Sequence, residues 1–344
     1  MELKGKTLMI TGGAGFIGSN FVDHILAAYP DTRVVVYDKL NYRGNLENLA
    51  QAERDPRYTF VKGDICDAAA VAGAIEKHGI GIIVNFAAET HVDRSIMDPD
   101  AFVRTDVYGM YVLLEAVNRY KLERLHHVST DEVYGQVMAG ASKEGDPFEP
   151  RSPYAASKAS GELLAFAYYT TYGTPLTVTR GANNIGPRQY PENAVPLFCT
   201  NAIDGQPIPL YGDGTQSRQY QYVMDHVEGI EVAMLKGEVG QAYNCGPDEE
   251  TQNIVMATRL LELLGKPADL IKHVADRPGH DRRYCIDSSK LKALGWRPRH
   301  GFDEALRLTV DWYRDNEDWW RKIKSGEYKE YYRKWYGQRL ADAR

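Results

Sequence analysis

The chain has little cysteine, no long apolar run and no surplus of positive charge, and each shortage excludes a class of protein. Its four cysteines, Cys66, Cys199, Cys245 and Cys285, lie far apart with no short paired spacing. Neither a zinc site nor a redox dithiol is indicated, no metal is expected, and reduced buried thiols are the plain expectation. Nowhere do about 18 apolar residues run together, and the opening MELKGKTLMITGG breaks into glycine before a signal-peptide stretch is complete, so a cytoplasmic protein is expected. The formal net charge of -6 gives no bulk attraction to nucleic acid or an anionic membrane, and partners are sought in pockets. Internal repeats and low-complexity linkers are lacking too. What remains, 344 residues with 43% hydrophobic and 26% charged, is an ordinary globular composition longer than one hydrophobic core usually serves.

Short β-branched or aromatic runs alternate with longer helical patterns through the first half. This alternation marks βαβ units around a parallel sheet buried on both faces. Strands are expected over 7–11, 33–37, 59–62, 81–86, 125–129 and 176–179, with helices over 16–28, 67–78, 99–120 and 153–172. Pro153 suits the first turn of the last helix, where its missing N–H would have no partner. After Arg180 the alternation weakens and turn sequences multiply. The reading is an α/β, Rossmann-type doubly wound parallel sheet over 1–180, returning near 220–246, and a smaller C-terminal lobe within 181–344. The return is expected because Ala242-Tyr243-Asn244-Cys245-Gly246 again reads as a strand and turn.

Leu8-Met9-Ile10-Thr11 runs into Gly12-Gly13-Ala14-Gly15-Phe16-Ile17-Gly18, a strand, a glycine turn and a helix. Gly12 suits the tight turn, Gly15 lets a pyrophosphate approach the N–H groups at the helix N-terminus, and Gly18 permits close helix–sheet packing. Asp38 follows 20 residues after Gly18, where its carboxylate would accept the adenosine ribose hydroxyls and repel a 2′-phosphate, favouring NAD over NADP. Arg43 is near enough in sequence to bear on that choice. Asp64 and Ile65, past the third strand, offer a carboxylate and an apolar contact to adenine, although Asp64 equally suits a helix cap. Ala87 and Ala88, past the fourth strand, leave room for pyrophosphate and nicotinamide.

Tyr154 and Lys158 stand at i and i+4 on the helix that Ser152-Pro153 opens, so both side chains leave one face. A tyrosine is a poor base at neutral pH, and a neighbouring ammonium favours its phenolate. Such a pair arises often by chance, and its weight comes from its position after the fifth strand. That strand ends in Ser129-Thr130-Asp131-Glu132-Val133-Tyr134-Gly135, where two adjacent carboxylates beside a hydroxyl could supply the acid and base of an elimination.

TGGAGFIGS, AAETHVDRSI, STDEVYG, SPYAASK, GANNIGP and DRPGHDRRY together resemble the extended short-chain dehydrogenase/reductases, and among them the dTDP-glucose 4,6-dehydratases. The resemblance spans nearly the whole chain, and Thr-Asp-Glu is its most specific piece. It implies a redox-neutral dehydration of a nucleotide-linked glucose with NAD. Tyr154, assisted by Thr130 and Lys158, would take the 4-hydroxyl proton, Glu132 the C5 proton, and Asp131 would protonate the departing C6 hydroxyl. It also implies that Thr90, Asn183, Glu192, Arg218, Asn253, Arg277 and His280 surround the nucleotide sugar, and that the helices over 99–120 and 153–172 form a homodimer interface. Guanidinium groups suit a diphosphate because they offer paired donors.

Several positions depart from the family. Gln219, Tyr220, Gln221 and Met224 stand in a run where Asp, Trp, Leu and Glu are usual, Ile185 replaces a tyrosine, Asp106 an asparagine, and Thr90 a serine. A nucleotide-sugar 4-epimerase or uronate decarboxylase would share Tyr154 and Lys158 without needing Asp131 beside Glu132. A non-catalytic NAD-binding sensor would not need the Tyr-Lys pair. The aromatic-basic stretch over 312–336 is expected as a helix packed on the second lobe rather than a nucleic-acid surface.

Overall fold

The computed structural model describes residues 1–325 and 327–343. At its centre seven strands run parallel in the order Gln241–Cys245, β6 (Leu176–Gly181), β5 (Arg124–Thr130), β4 (Ile82–Asn85), β1 (Thr7–Thr11), β2 (Arg33–Asp38), β3 (Tyr58–Lys62). Every residue of β1, β4, β5 and β6 is buried, which is why these strands read as continuous apolar or small-polar runs rather than alternating ones. On one face α1 (Phe16–Ala28) and the helix Val223–Lys236 pack against Ile10, Val36, Val84 and Val128. On the other, α2 (Ala68–His78) and the helices Gly109–Tyr120 and Pro153–Tyr172 pack against Met9, Val35, Ile83 and Leu125.

The strand order reverses between β1 and β4, and in such sheets the crevice at the carboxyl ends of those strands receives ligands. The chain re-enters the sheet late, with Ala242 opposite Val178 and Asn244 opposite Arg180. Three two-stranded pairings outside the sheet hold the other wall of the crevice. They join Tyr220–Tyr222 to Asn183–Ile185, Thr251–Gln252 to Ser217–Arg218, and Ile271–Val274 to Ile208–Tyr211. A separate core beneath them gathers Leu197, Phe198, Leu260, Leu306 and Trp320.

Two expected helices are not continuous. The one over 99–120 holds a π-helical stretch, Val103–Tyr108, ahead of Gly109–Tyr120. Within it the Asp106 carboxylate accepts hydrogen bonds from two neighbouring segments, the Glu89 N–H and the Ser157 hydroxyl. The expected helix over 312–336 is divided among Phe302–Asp315, Glu317–Ile323 and Glu327–Ala341. Asn316 breaks it, turning at φ -123° and donating its side-chain amide to the Trp312 carbonyl at 2.9 Å. Trp319, Trp320 and Tyr328 are buried in the second core, and Trp319 Nε1 donates to Asn48 Oδ1 at 2.9 Å, tying this end to the first half. Among the described residues no helix is long and apolar enough to cross a membrane, and the four cysteines are free thiols.

Candidate active site

All the site residues expected from sequence line one cleft of about 380 Å³ at the carboxyl edge of the sheet. Gly12 turns the chain at φ +67°, and a Cβ there would lie 2.6 Å from the Ala87 amide nitrogen; one on Gly18 would lie 2.4 Å from the Gly12 carbonyl oxygen. Only bare backbone fits at either position. Gly15 caps α1 without a side-chain bond, so the first N–H groups of the helix remain for an anion. The Asp38 carboxylate accepts the Ala14 N–H at 3.0 Å and the Leu40 N–H at 2.8 Å. Burial pushes it up and those two amides oppose the rise. The helix cap of α2 is Asp67, whereas Asp64 accepts the Cys66 N–H at 2.9 Å and stays at the cleft wall beside Ile65. Ala87 and Ala88 line the floor. These features fit a dinucleotide: a side-chain-free turn, an open helix N-terminus and a carboxylate at the end of β2.

Arg43 does not address that carboxylate. Its guanidinium meets Glu192 Oε1 at 2.5 Å and donates to the Thr90 hydroxyl, while Arg94 Nε meets Glu192 Oε2 at 2.9 Å. Glu192 is thus saturated by two cations. Burial acts to raise it, but Arg43, His91 and Arg94 prevail and hold it at about 2.

At the end of β5, Thr130 leads into a single turn, Asp131–Tyr134, and its hydroxyl oxygen accepts the Glu132 N–H at 3.3 Å. The neighbouring carboxyls differ. Asp131 is buried, one of its oxygens has no partner, and burial with the charge of Glu132 pushes it up to about 7 against the pull of Arg218. Glu132 is raised by burial as well, but both Arg277 and Arg218 oppose that, and the Tyr284 hydroxyl donates to it at 3.4 Å. One carboxyl is suited to hold a proton near neutrality, the other to lose it.

Tyr154 lies edge-on to Phe102, 6.3 Å between ring centroids. Burial and the carboxylates Glu132, Asp106 and Asp131 push its phenol well up, and the Thr130 hydroxyl opposes them. Lys158 donates to the Val128 carbonyl at 2.8 Å, and burial lowers its pKa against Asp106 and Glu162.

Across the cleft, Arg277 meets Asp93 at 3.0 Å and leaves its buried Nε without a partner. The Arg218 guanidinium lies 4.2 Å over the Tyr284 ring and donates to the Asp281 carbonyl at 2.9 Å. His280 is held by Asp276 at 2.6 Å and lowered to about 4, chiefly by burial and then by Arg277 and Arg218. Asn253 accepts from the Tyr220 hydroxyl at 2.7 Å, and the Asn183 side-chain oxygen is buried without a partner. Of the departures, Thr90, Tyr220 and Ile185 line the cleft. Gln219 lies behind its wall, accepting the Ile286 N–H at 2.8 Å, and buried Gln221 contacts Cys245 Sγ at 3.5 Å. Asp93, Arg94 and His226 also line or brace the cleft. The motif AAETHVDRSI contained the first two without assigning them roles, and nothing local distinguishes His226, whose ring packs on Gly181.

Residues 9–309 match the family described as GDP-mannose 4,6 dehydratase, and the chain belongs to that family of nucleotide-sugar enzymes. Within it the chain is similar to the dTDP-glucose 4,6-dehydratase of an Actinoplanes species, 48% identical over 91% of this chain and 99% of the relative, and to that of Streptomyces niveus, 48% identical over 92% and 96%. Among solved structures, the dTDP-glucose 4,6-dehydratase DesIV of Streptomyces venezuelae with NAD bound superposes with a TM-score of 0.90 at 47% identity, covering 92% of this chain and 100% of that one. The UDP-glucose 4-epimerase of Thermus thermophilus, with NAD, gives 0.84 at 33% identity, over 90% and 99%.

Proposed function

We propose that the chain is an NAD-dependent hydro-lyase that converts dTDP-glucose to dTDP-4-keto-6-deoxyglucose. The observation that carries this reading is the unequal pair Asp131 and Glu132 facing Tyr154 in the cleft. An epimerase needs the tyrosine and lysine but has no use for an acid and a base at C5 and C6.

Gly12, Gly15, Phe16, Ile17 and Gly18 would hold the pyrophosphate, Asp38 the adenosine ribose, Asp64 and Ile65 the adenine, and Ala87 and Ala88, with Tyr154 and Lys158, the nicotinamide end. When bound, NAD supplies the acceptor for the C4 hydride and its donor to C6, so no outside oxidant is consumed. Tyr154 would accept the 4-hydroxyl proton as the phenolate, a form that the Thr130 hydroxyl, Lys158 and the positive charge of bound NAD would favour against the neighbouring carboxylates. The resulting carbonyl acidifies C5–H, and Glu132 takes that proton. Asp131, protonated near neutrality, donates to the C6 hydroxyl as it leaves as water. Glu132 then returns its proton to C5. Arg218 and Arg277, with Thr90, Asn183, Asn253 and His280, would hold the nucleotide diphosphate and sugar. Glu192, tied to Arg43 and Arg94, would shape that wall rather than offer a free carboxylate.

The same reading takes 1–180 with the return near 220–246 as the cofactor-binding unit and 181–344 mainly as the nucleotide-sugar lobe, working in the cytoplasm as a homodimer. Support for the dimer comes from the exposed Val103, Tyr108, Tyr111, Leu163 and Tyr172 on adjoining helical segments; light scattering tests it.

Purified protein is to be incubated with dTDP-, UDP-, GDP- and CDP-glucose and the products identified by mass and NMR. Loss of one water to a 4-keto-6-deoxy product from dTDP-glucose is expected. A C4 stereoisomer or an unchanged sugar would overturn the reading.

A further inference from the structure

The aromatic-basic stretch at the C-terminal end does more than fill the second core. From the helix Glu327–Ala341, Trp335 Nε1 donates to the Tyr211 hydroxyl oxygen at 2.7 Å, and the Tyr336 ring stacks on that of Tyr211 with 6.1 Å between centroids. Arg339, one turn on, covers the Trp335 ring at 4.2 Å. Tyr211 and Tyr336 both line the cleft. Tyr211 ends the strand Ile208–Tyr211, which runs beside Ile271–Val274, the strand that leads to Arg277.

An indole N–H can only donate. Its bond therefore engages the Tyr211 oxygen as an acceptor and leaves the single phenolic proton for another partner. Asp93 Oδ2 receives it at 2.9 Å. The Tyr336 hydroxyl, 3.3 Å from the same oxygen, is a longer and uncharged alternative, so the carboxylate wins. The second oxygen, Asp93 Oδ1, accepts from Arg277 Nη1 at 3.0 Å. Asp93 is buried, and with both oxygens engaged its plane is set. Arg277 stands outside any helix or strand, between Ile271–Val274 and the helix Ser289–Ala293. Its orientation is therefore left to side-chain partners such as Asp93, while its buried Nε keeps a donor free at the cleft wall.

We propose that the helix Glu327–Ala341 takes part in substrate binding: Trp335 and Tyr211 are positioning residues that fix the Asp93 carboxylate and through it aim the Arg277 guanidinium at the diphosphate. This rests on Arg277 as a diphosphate-binding group, as proposed above. A guanidinium meets a diphosphate with paired donors only when its plane is set. Loss of the order Trp335, Tyr211, Asp93, Arg277 is therefore read in affinity for a nucleoside diphosphate.

The test is a double-mutant cycle in the full chain, with the Kd of dTDP measured by isothermal titration calorimetry. Tyr211→Phe removes the hydroxyl but keeps the ring, and with it the edge-on contact to His280 at 5.8 Å. It is expected to raise the Kd by about 5- to 20-fold. Trp335→Phe frees the Tyr211 oxygen from its donor and should raise the Kd by about 3- to 10-fold; it carries the test alone if Tyr211→Phe does not fold. In an Arg277→Gln background both effects should shrink to less than about twofold, because the residue they act through is gone. Tyr332→Phe, on the same helix but bonded to Asn201 at 2.9 Å, should lower the thermal midpoint without moving the Kd. An unchanged Kd in Tyr211→Phe and Trp335→Phe, or an equal rise with and without Arg277, would make the helix a brace of the second lobe and overturn the proposal. If UDP, GDP or CDP binds the parent and dTDP does not, the nucleotide proposed above falls, and the cycle is read with the one that binds, since all four share the diphosphate. Binding of none of them would sink Arg277 as a diphosphate group and this proposal with it.

Discussion

Asp131 and Glu132 are adjacent in sequence, yet they do not share the same arginines. Arg277 and Arg218 both stabilise the charge of Glu132, while Asp131 has only Arg218. The sequence made both carboxyls legible as an acid and a base, but their division of labour depends on arginines more than 80 residues downstream and could not be read locally. Replacing Glu132 by Gln should lower turnover by about 10² to 10⁴. Near-UV absorbance of reduced nicotinamide should still appear on adding substrate, with little solvent deuterium entering C5; full exchange at C5 would reassign the base. For Asp131 the linkage runs toward acid. Its folded pKa, about 7, stands above the ordinary 3.8, so its contribution to stability is complete below about 3.8 and is lost as pH rises through about 7. Asp131→Asn, which does not titrate, should therefore gain thermal midpoint over the parent progressively between those pH values. A difference that stays flat across the window would show that Asp131 is not raised.

Elements were more legible than their interruptions. The helices Phe16–Ala28 and Pro153–Tyr172 follow from the glycine turn and from Ser152-Pro153, and their observed ends coincide with those expected. The π-stretch was not legible, because the bonds its Asp106 makes go to Glu89 and Ser157, remote in sequence, and the break at Asn316 was missed although its side-chain bond to the Trp312 carbonyl is local. Where the glycine motif is concerned, the spacing proved to be a statement about packing. A methyl group on Gly18 would press on the Gly12 carbonyl, backbone that cannot swing aside. Gly18→Ala should cost roughly 1–3 kcal/mol of stability through overpacking. It should also tilt α1 off the turn, so that less NAD is released from the purified protein on denaturation. Normal NAD content together with an unchanged melting temperature would show that the contact relaxes cheaply.

At the scale of the whole molecule, the two halves meet across the cleft through charge as well as apolar surface. Arg43 comes from the loop after β2, Arg94 from the short helix Val92–Met97 and Glu192 from the segment leading into the helix Ala194–Ile203. Tyr42 and Tyr331 flank Arg94 at 3.9 and 4.4 Å. A carboxylate with no side-chain exposure, held between two guanidinium groups, ties the segment before the helix Ala194–Ile203 to the loop after β2 and the short helix after β4. Breaking such an arrangement by removing one charge is costly, because the remaining charges stay buried and unpaired. The sign of its pH dependence is opposite to that of Asp131. Glu192 is depressed from 4.5 to about 2, so its stabilisation is present above about 4.5 and disappears as pH falls toward 2; the depression corresponds to roughly 3 kcal/mol. Glu192→Gln should accordingly lower stability at pH 7 by about that amount, with the deficit shrinking below pH 4.5 in denaturant titrations. Because the clasp joins the walls rather than touching the reacting atoms, KM for the nucleotide sugar should rise more than kcat falls. A large loss of kcat at unchanged KM would instead place Glu192 among the groups that contact the reacting sugar.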